Sequence, residues 1–284
     1  MLKKILVPVI DNLPLEQQME HAAALSKRFE AHIEFAHCRP APEDFLPHGL
    51  PVPDFLRKRL LAQAEDYADY QEDDLKRRQE QLFQEIAKRL GGAAGVVERS
   101  SWREFQGRPN HTIRERGRLA DLILVAKPSR DIAVGTTPLL SAIFDTGRPV
   151  LMCPEKSGDL TALGRKVCIA WNGSLHAARA VAMTLDILQQ ADEVTVLTAR
   201  TEEAHGASAE DLEAYLALRG IEARFDRFEP EGRVGDALMK RQDALGASLM
   251  IMGAYSVSHE REAIFGGNTQ RIVDKSKLPV IFVH

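Results

Sequence analysis

The chain has 284 residues, 44% of them hydrophobic and 27% charged, the make-up of a globular protein long enough for two domains. Its net charge of -4, from 37 basic and 41 acidic residues, gives no overall pull toward nucleic acid or an anionic membrane. No apolar run approaches the ~20 residues that span a bilayer, and the N-terminal stretch lacks the length and cleavage site of a signal peptide. The cysteines, Cys38, Cys153 and Cys168, are odd in number and form no CxxC pair. They argue against a disulfide framework or a structural zinc site and for a reducing cytoplasm.

In chain order, the run from Lys3 to Val9 reads as a strand buried on both faces: two lysines, then continuous apolar residues. An alanine-rich stretch at 15–30 predicts a helix, and His32 to Cys38 a second strand. Pro40, Pro42, Pro47, Pro51 and Pro53 make 40–53 an extended loop. Residues 54–90 read as helix, broken near the acidic run at 65–74, with Leu75, Leu82, Phe83, Ile86 and Leu90 as an apolar stripe that Gly91-Gly92 stops. This is a packing helix with a solvated charged face; a partner-docking helix is the alternative. Strands follow at Ala120–Ala126 and Arg148–Cys153.

Residues 154–164, rich in proline, glycine and polar side chains, read as a linker. Beyond it the pattern repeats. Arg165–Trp171 parallels Lys3–Val9, and a helix at 175–190 places Ala178, Val181, Leu185 and Leu188 on one face. Glu193–Ala199 is the next strand. Ala247–Gly253 parallels Ala120–Ala126, and Leu278–Val283 parallels Arg148–Cys153. Strands alternating with helices imply two tandem α/β units, each an open doubly wound parallel sheet of five strands. The units are 1–158, with a helical insertion at 40–90, and 159–284.

The segment from Gly253 to Thr269 follows the fourth strand of the second unit and leads into a helix. Glycines there let backbone N–H groups approach phosphate oxygens, a helix N-terminus adds partial positive charge, and the hydroxyls of Ser256 and Thr269 add donors. On these residues alone, a phosphate cradle and an ordinary strand–helix loop with turn glycines stand side by side. Other candidates are weaker. His32 and His37, five apart on a strand, point to opposite faces and cannot share a metal. His205 and His259 have no carboxylate or thiol at ligand spacing, and no nucleophile elbow, HExxH or Walker A is present. The basic runs at 57–59 and 76–78 flank acidic residues, which reads as a mixed-charge helix surface and not a nucleic-acid patch.

With these residues in view, the chain resembles a tandem universal stress protein. The resemblance implies a strand order of 3-2-1-4-5 in each unit, an adenine nucleotide alpha hydrolase-like fold and a stress-response role. Nucleotide-binding members carry Gly, two residues, Gly, nine residues, then Gly followed by Ser or Thr. Here Gly253 matches the first glycine, Ser256 replaces the second, 257–265 are the spacers and Gly266 matches the third. Gly267 replaces the usual hydroxyl residue, while Thr269 matches a second hydroxyl position. Asn172 stands where those members carry aspartate, keeping hydrogen-bonding capacity without the charge. Ala199 matches a position lining the adenine.

The first unit has lost this loop. Ala126-Lys127-Pro128-Ser129 replaces the early glycines, Leu139-Leu140 the later Gly-Ser or Gly-Thr pair, and Ile10, next to Asp11, the aspartate. The segment from Asp121 to Pro149 is also three residues shorter than that from Ser248 to Pro279. The resemblance therefore puts ATP or AMP in the second unit, Mg²⁺ accompanying ATP through phosphate oxygens and water. It leaves the first unit structural or regulatory. No residue is assigned to catalysis, and any hydrolysis is expected to be slow. Two rival readings remain. One is an interaction protein that binds no nucleotide, favoured by Ser256, Gly267 and Asn172. The other is a small-molecule enzyme using the same crevice. The order 3-2-1-4-5 leaves an apolar fifth strand at each sheet edge, which needs cover. The two fifth strands are expected to pair within the chain as a pseudo-dimer, with a homodimer as the intermolecular counterpart.

Overall fold

A computed structural model describes residues 1–10, 15–39, 56, 58–59, 76–91, 93–128, 137–156, 158–200, 206–254 and 267–284. The first half contributes β1 (Lys4–Val9), α1 (Glu16–Phe29), β2 (His32–Arg39), helical residues 76–89 (α2), α3 (Ala93–Glu98), β3 (Ser100–Gln106), α4 (Pro109–Gly117), β4 (Leu122–Ala126), α5 (Pro138–Asp145) and β5 (Val150–Cys153). A single 3-10 turn, Leu160–Ala162, lies in the linker, with Asp159 accepting from Thr161 N. The second half contributes β6 (Lys166–Ala170), α6 (Leu175–Met183), α7 (Leu185–Gln189), β7 (Glu193–Ala199), α8 (Ala209–Ala217), β8 (Ala223–Phe228), α9 (Val234–Leu245), β9 (Leu249–Gly253), α10 (Gly267–Lys275) and β10 (Val280–Val283).

Among the described residues, ten strands form one sheet in the order β3-β2-β1-β4-β5-β10-β9-β6-β7-β8. Each half is parallel within itself and carries the expected 3-2-1-4-5 order. The two fifth strands meet at the centre and run antiparallel, Val280 opposite Met152, Ile281 opposite Leu151 and Phe282 opposite Val150. Every residue of β5 and β10 is buried, so the apolar runs lie mid-sheet. The outer strands β3 (SSWREFQ) and β8 (ARFDRF) are half-exposed and carry charged residues, which blunts the free edges.

One apolar layer joins α1, α2, α3, α6, α7 and α8 to one face, and a second joins α4, α5, α9 and α10 to the other. The stripe on α2 behaves as a packing surface: Phe83, Ile86 and Ala87 are buried, and the Phe83 ring meets Phe35 edge-on at 4.9 Å. Gly91 turns the chain at φ +70. The proline-rich loop at 40–53, the acidic run at 65–74 and Leu75 lie outside the described residues. The helix expected at 175–190 is two helices. At Thr184 the hydroxyl donates to the Ala180 carbonyl, and the chain leaves helical geometry before α7 begins. Such back-bonding by threonine bends helices.

The three cysteines are buried and free. Burial alone pushes the Cys153 thiol up, and burial chiefly pushes Cys168 up to about 12, so neither is a ready thiolate. His32 is exposed against Ser101 while His37 is buried beside Trp102. Among the described residues no three His, Cys, Asp or Glu are grouped to hold a metal, and no helix is long and apolar enough to cross a membrane.

Candidate functional site

The second half runs β6, then β7 and β8 to one side, then back across β6 to β9 on the other. The β6–β9 boundary is therefore the point where winding reverses, the place at which open parallel sheets leave a crevice beyond their carboxyl ends. Three of the expected residues arrive there on adjacent strands. Ala199 ends β7, Asn172 follows β6 by two residues, and Gly253 ends β9. Register holds them level: Ala170 pairs with Leu197 on one side and Met252 on the other.

Asn172 is exposed. Its Oδ1 accepts from Ser174 N at 3.2 Å, and Ser174 Oγ in turn accepts from Ala177 N at 3.2 Å. This side-chain turn, followed by a serine cap, starts α6. Gly253 sits against that start. A Cβ added there would stand 2.6 Å from Ala177 N and 2.7 Å from the His176 carbonyl carbon. The glycine expected to clear room for a ligand thus clears room for α6.

The rim beside β7 was not foreseen. Gly173, at φ +74, touches the segment before α8 backbone to backbone: a Cβ on it would lie 2.5 Å from Ala207 O, and one on Gly206 would lie 2.1 Å from Gly173 O. Ala207 N donates to Gly173 O at 3.2 Å, and the buried Trp171 donates its indole N–H to Ala207 O at 3.2 Å. The Asn-Gly pair after β6 and the tryptophan before it were the available sequence signals.

Gly267, first residue of α10, is exposed, and a Cβ there would meet nothing within 4 Å. Thr269 lies on the inner side of the same helix, 7% exposed. Asn268 Oδ1 accepts from Gly235 N at 3.1 Å, supplying a cap to α9. Arg271 grips Asp236 with a bidentate pair at 2.7–2.9 Å, so α10 is locked to α9. Ser256, His259 and Gly266 lie outside the described residues, as does His205.

A histidine pair also escaped notice, since its members lie far apart in sequence. His176, in the first turn of α6, stacks on His284 with ring centroids 4.6 Å apart. Nδ1 of His284 lies 3.1 Å from the Ala254 carbonyl, to which it donates, and Phe144 of the first half meets the ring edge-on at 4.8 Å. Burial, then His284 and Arg179, press the His176 pKa down.

The corresponding place in the first half is built differently. Lys127 N bonds Cys153 O as Ala254 N bonds Val283 O, both at 2.8 Å, so Lys127 occupies the position of Ala254. Counted back from the fifth strands, Leu139 stands where Thr269 stands, and it is 1% exposed. Ser129 and Asp11 lie outside the described residues.

Residues 164–284 match the Universal stress protein family. A universal stress protein from Archaeoglobus fulgidus DSM 4304 has a TM-score of 0.71 at 15% identity, covering 99% of this chain and 95% of that one. A protein from Pseudomonas aeruginosa PAO1, described as functionally unknown, has a TM-score of 0.57 at 16% identity, covering 99% and 92%. No curated protein matches the sequence. At these identities the likeness to the solved structures shows a shared fold alone.

Proposed function

Residues 164–284 belong to the universal stress protein family, and from that premise we propose that the chain is a tandem member, divided at 1–158 and 159–284, that binds an adenine nucleotide in its second unit as part of a stress response in the cytoplasm. The observation that carries the reading is the placement of Ala199, Asn172 and Gly253 on three neighbouring strand ends around the reversal point of the sheet. On this reading the base lies toward Ala199, the ribose or phosphates lie near Asn172, and the phosphates approach the start of α10 at Gly267. AMP and ATP both suit such a crevice. The first unit, with Lys127 and Leu139 in the matching places, is a structural partner.

Calorimetric titration of the full chain, freed of carried-over nucleotide, tests this. One site per chain is expected for AMP or ATP. Two equivalent sites, or no heat with either, would refute it.

A second reading is favoured by one observation. Gly253 is required by the packing of α6 whether or not a ligand is present. A protein that binds partners and no nucleotide would keep it, and the titration would then be silent.

A further inference from the structure

Mg²⁺ is the companion that the resemblance attaches to ATP, and among the described residues the groups at the β6–β9 strand ends do not suit it. Mg²⁺ takes oxygen ligands in tight octahedral geometry, held through one or two carboxylates together with phosphate oxygens and water. The residue at the aspartate position is Asn172, a neutral amide. Its oxygen is turned to Ser174 N, 3.2 Å away, and this bond fixes which end of the amide is which. The end left over is the NH₂, which donates and cannot ligate a cation. At the end of the neighbouring strand β9, against Gly253, the His176 ring stacks on His284 at 4.6 Å, with Arg179 one turn along α6. Arg179 is cationic, and among the described residues no three His, Cys, Asp or Glu are grouped to hold a divalent cation.

We propose that the second unit takes its phosphate-bearing ligand as the metal-free anion. The proposal rests on the nucleotide reading above and adds the chemical form of the ligand. Asn172 acts in it through its NH₂ as a donor to a phosphate or ribose oxygen, and no carboxylate–Mg²⁺ bridge forms at that position.

The experiment is a titration of the full chain with ATP and with AMP, in EDTA and in excess Mg²⁺, read by calorimetry and by the fluorescence of Trp171 beside Asn172. ATP affinity is expected to stay within about threefold between the two buffers. The companion variant is Asn172→Asp. A carboxylate accepts from Ser174 N as the amide does, so the turn survives, and an ionised oxygen is restored. In this variant Mg²⁺ is expected to tighten ATP about tenfold or more and to leave AMP nearly unchanged. Mg²⁺ tightening ATP more than about threefold on the wild-type chain would overturn the proposal, and so would an Asn172→Asp chain that gains nothing from Mg²⁺. Silence from both nucleotides in both buffers is a different pattern. It removes the nucleotide reading itself and the proposal with it.

Discussion

Gly253 separates helix packing from ligand binding, and Gly253→Ala tests which of them holds the glycine in place. The new Cβ would stand 2.6 Å from Ala177 N, 2.7 Å from the His176 carbonyl carbon and 2.9 Å from His176 Cβ. Two of these are backbone atoms, so no rotamer change relieves them. Ordinary carbon contact lies near 3.5–4.0 Å, so the first turn of α6 must retreat by roughly 1 Å. That turn is not free to do so. Ala177, Ala180 and Val181 are buried beneath α6, and the loop before it is in backbone contact with Ala207. Overpacking of this kind costs about 1–3 kcal/mol. Reduced freedom of the unfolded chain returns about 0.4–1 kcal/mol, because Gly253 does not need a positive φ. The net expectation is a loss of about 1–2 kcal/mol, seen as a lower denaturation midpoint by circular dichroism and tryptophan fluorescence. Truncating the His176 ring to alanine leaves all three contacts and should not rescue it. If Gly253→Ala were as stable as the wild type yet lost nucleotide binding, the packing argument would fail and the glycine would belong to the ligand.

Three further perturbations address the rest of the molecule. Glu34, 5% exposed, takes a bidentate pair from Arg116 at 2.9 and 3.0 Å and a third contact from Lys4 at 2.9 Å. Burial opposes its charge, but Arg116 and Lys4 outweigh burial and hold its pKa below the usual carboxylate range. Glu34→Gln should cost ~2–3 kcal/mol at neutral pH, less than a fully buried pair because both partners are about a quarter exposed. That cost should vanish as pH falls through the folded pKa, because a lowered carboxyl pKa stabilises only while the group is ionised. His21 is fully buried, donates Nδ1–H to Gln17 O at 2.7 Å, and is held neutral mainly by burial. Its lowered pKa makes its contribution complete above the unfolded value of ~6.5 and lost as pH falls from there toward the folded value. His21→Leu should therefore flatten the fall in stability between about pH 7 and pH 5, with the His176 share persisting; an unchanged slope would refute the assignment. Finally, the separated units 1–158 and 159–284 should self-associate or lose solubility on sedimentation, because each bares a fully buried central strand. Both remaining monomeric, soluble and as stable as the full chain would refute the pairing argument.

How much was legible followed from where each element lies. Strands buried on both faces announce themselves: β1, β4, β5, β6, β9 and β10 are continuous apolar runs, and their repetition carries the tandem arrangement. The edge strands β3 and β8 were invisible for the opposite reason. SSWREFQ and ARFDRF have half-exposed, charged faces, and only their partners β2 and β7 make them strands. The kink at Thr184 was also hidden, since the apolar spacing of 175–190 continues through it and only the hydroxyl bond to Ala180 O breaks it. At the site, motif spacing located the strand ends, but spacing does not say which atom a residue faces. Gly253 proved to face a helix, Thr269 to sit inside one, and Asn172 to spend its oxygen on a turn. His176 and His284 come together only because the sheet brings α6 over β10.

The first unit carries different groups at the positions that match the second unit's strand ends. Lys127, in the place that Ala254 occupies across the pseudo-symmetry, sends its Nζ 2.9 Å to the carbonyl of Ser276, just past the last residue of α10. A cation at a helix C-terminus is favoured by the aligned peptide dipoles. The helix so held is α10, which Gly267 begins. On the same face, Phe144 of the first unit lies against His284, which in turn holds the Ala254 carbonyl. On the opposite face, Arg28 donates to the carbonyls of Leu163 and Gln190, tying α1 to the linker and the end of α7. The first unit, with Ala126 and Ser129 at the early glycine positions, thus braces the second. It holds the far end of α10, the strand end at Ala254 and the linker against one continuous sheet.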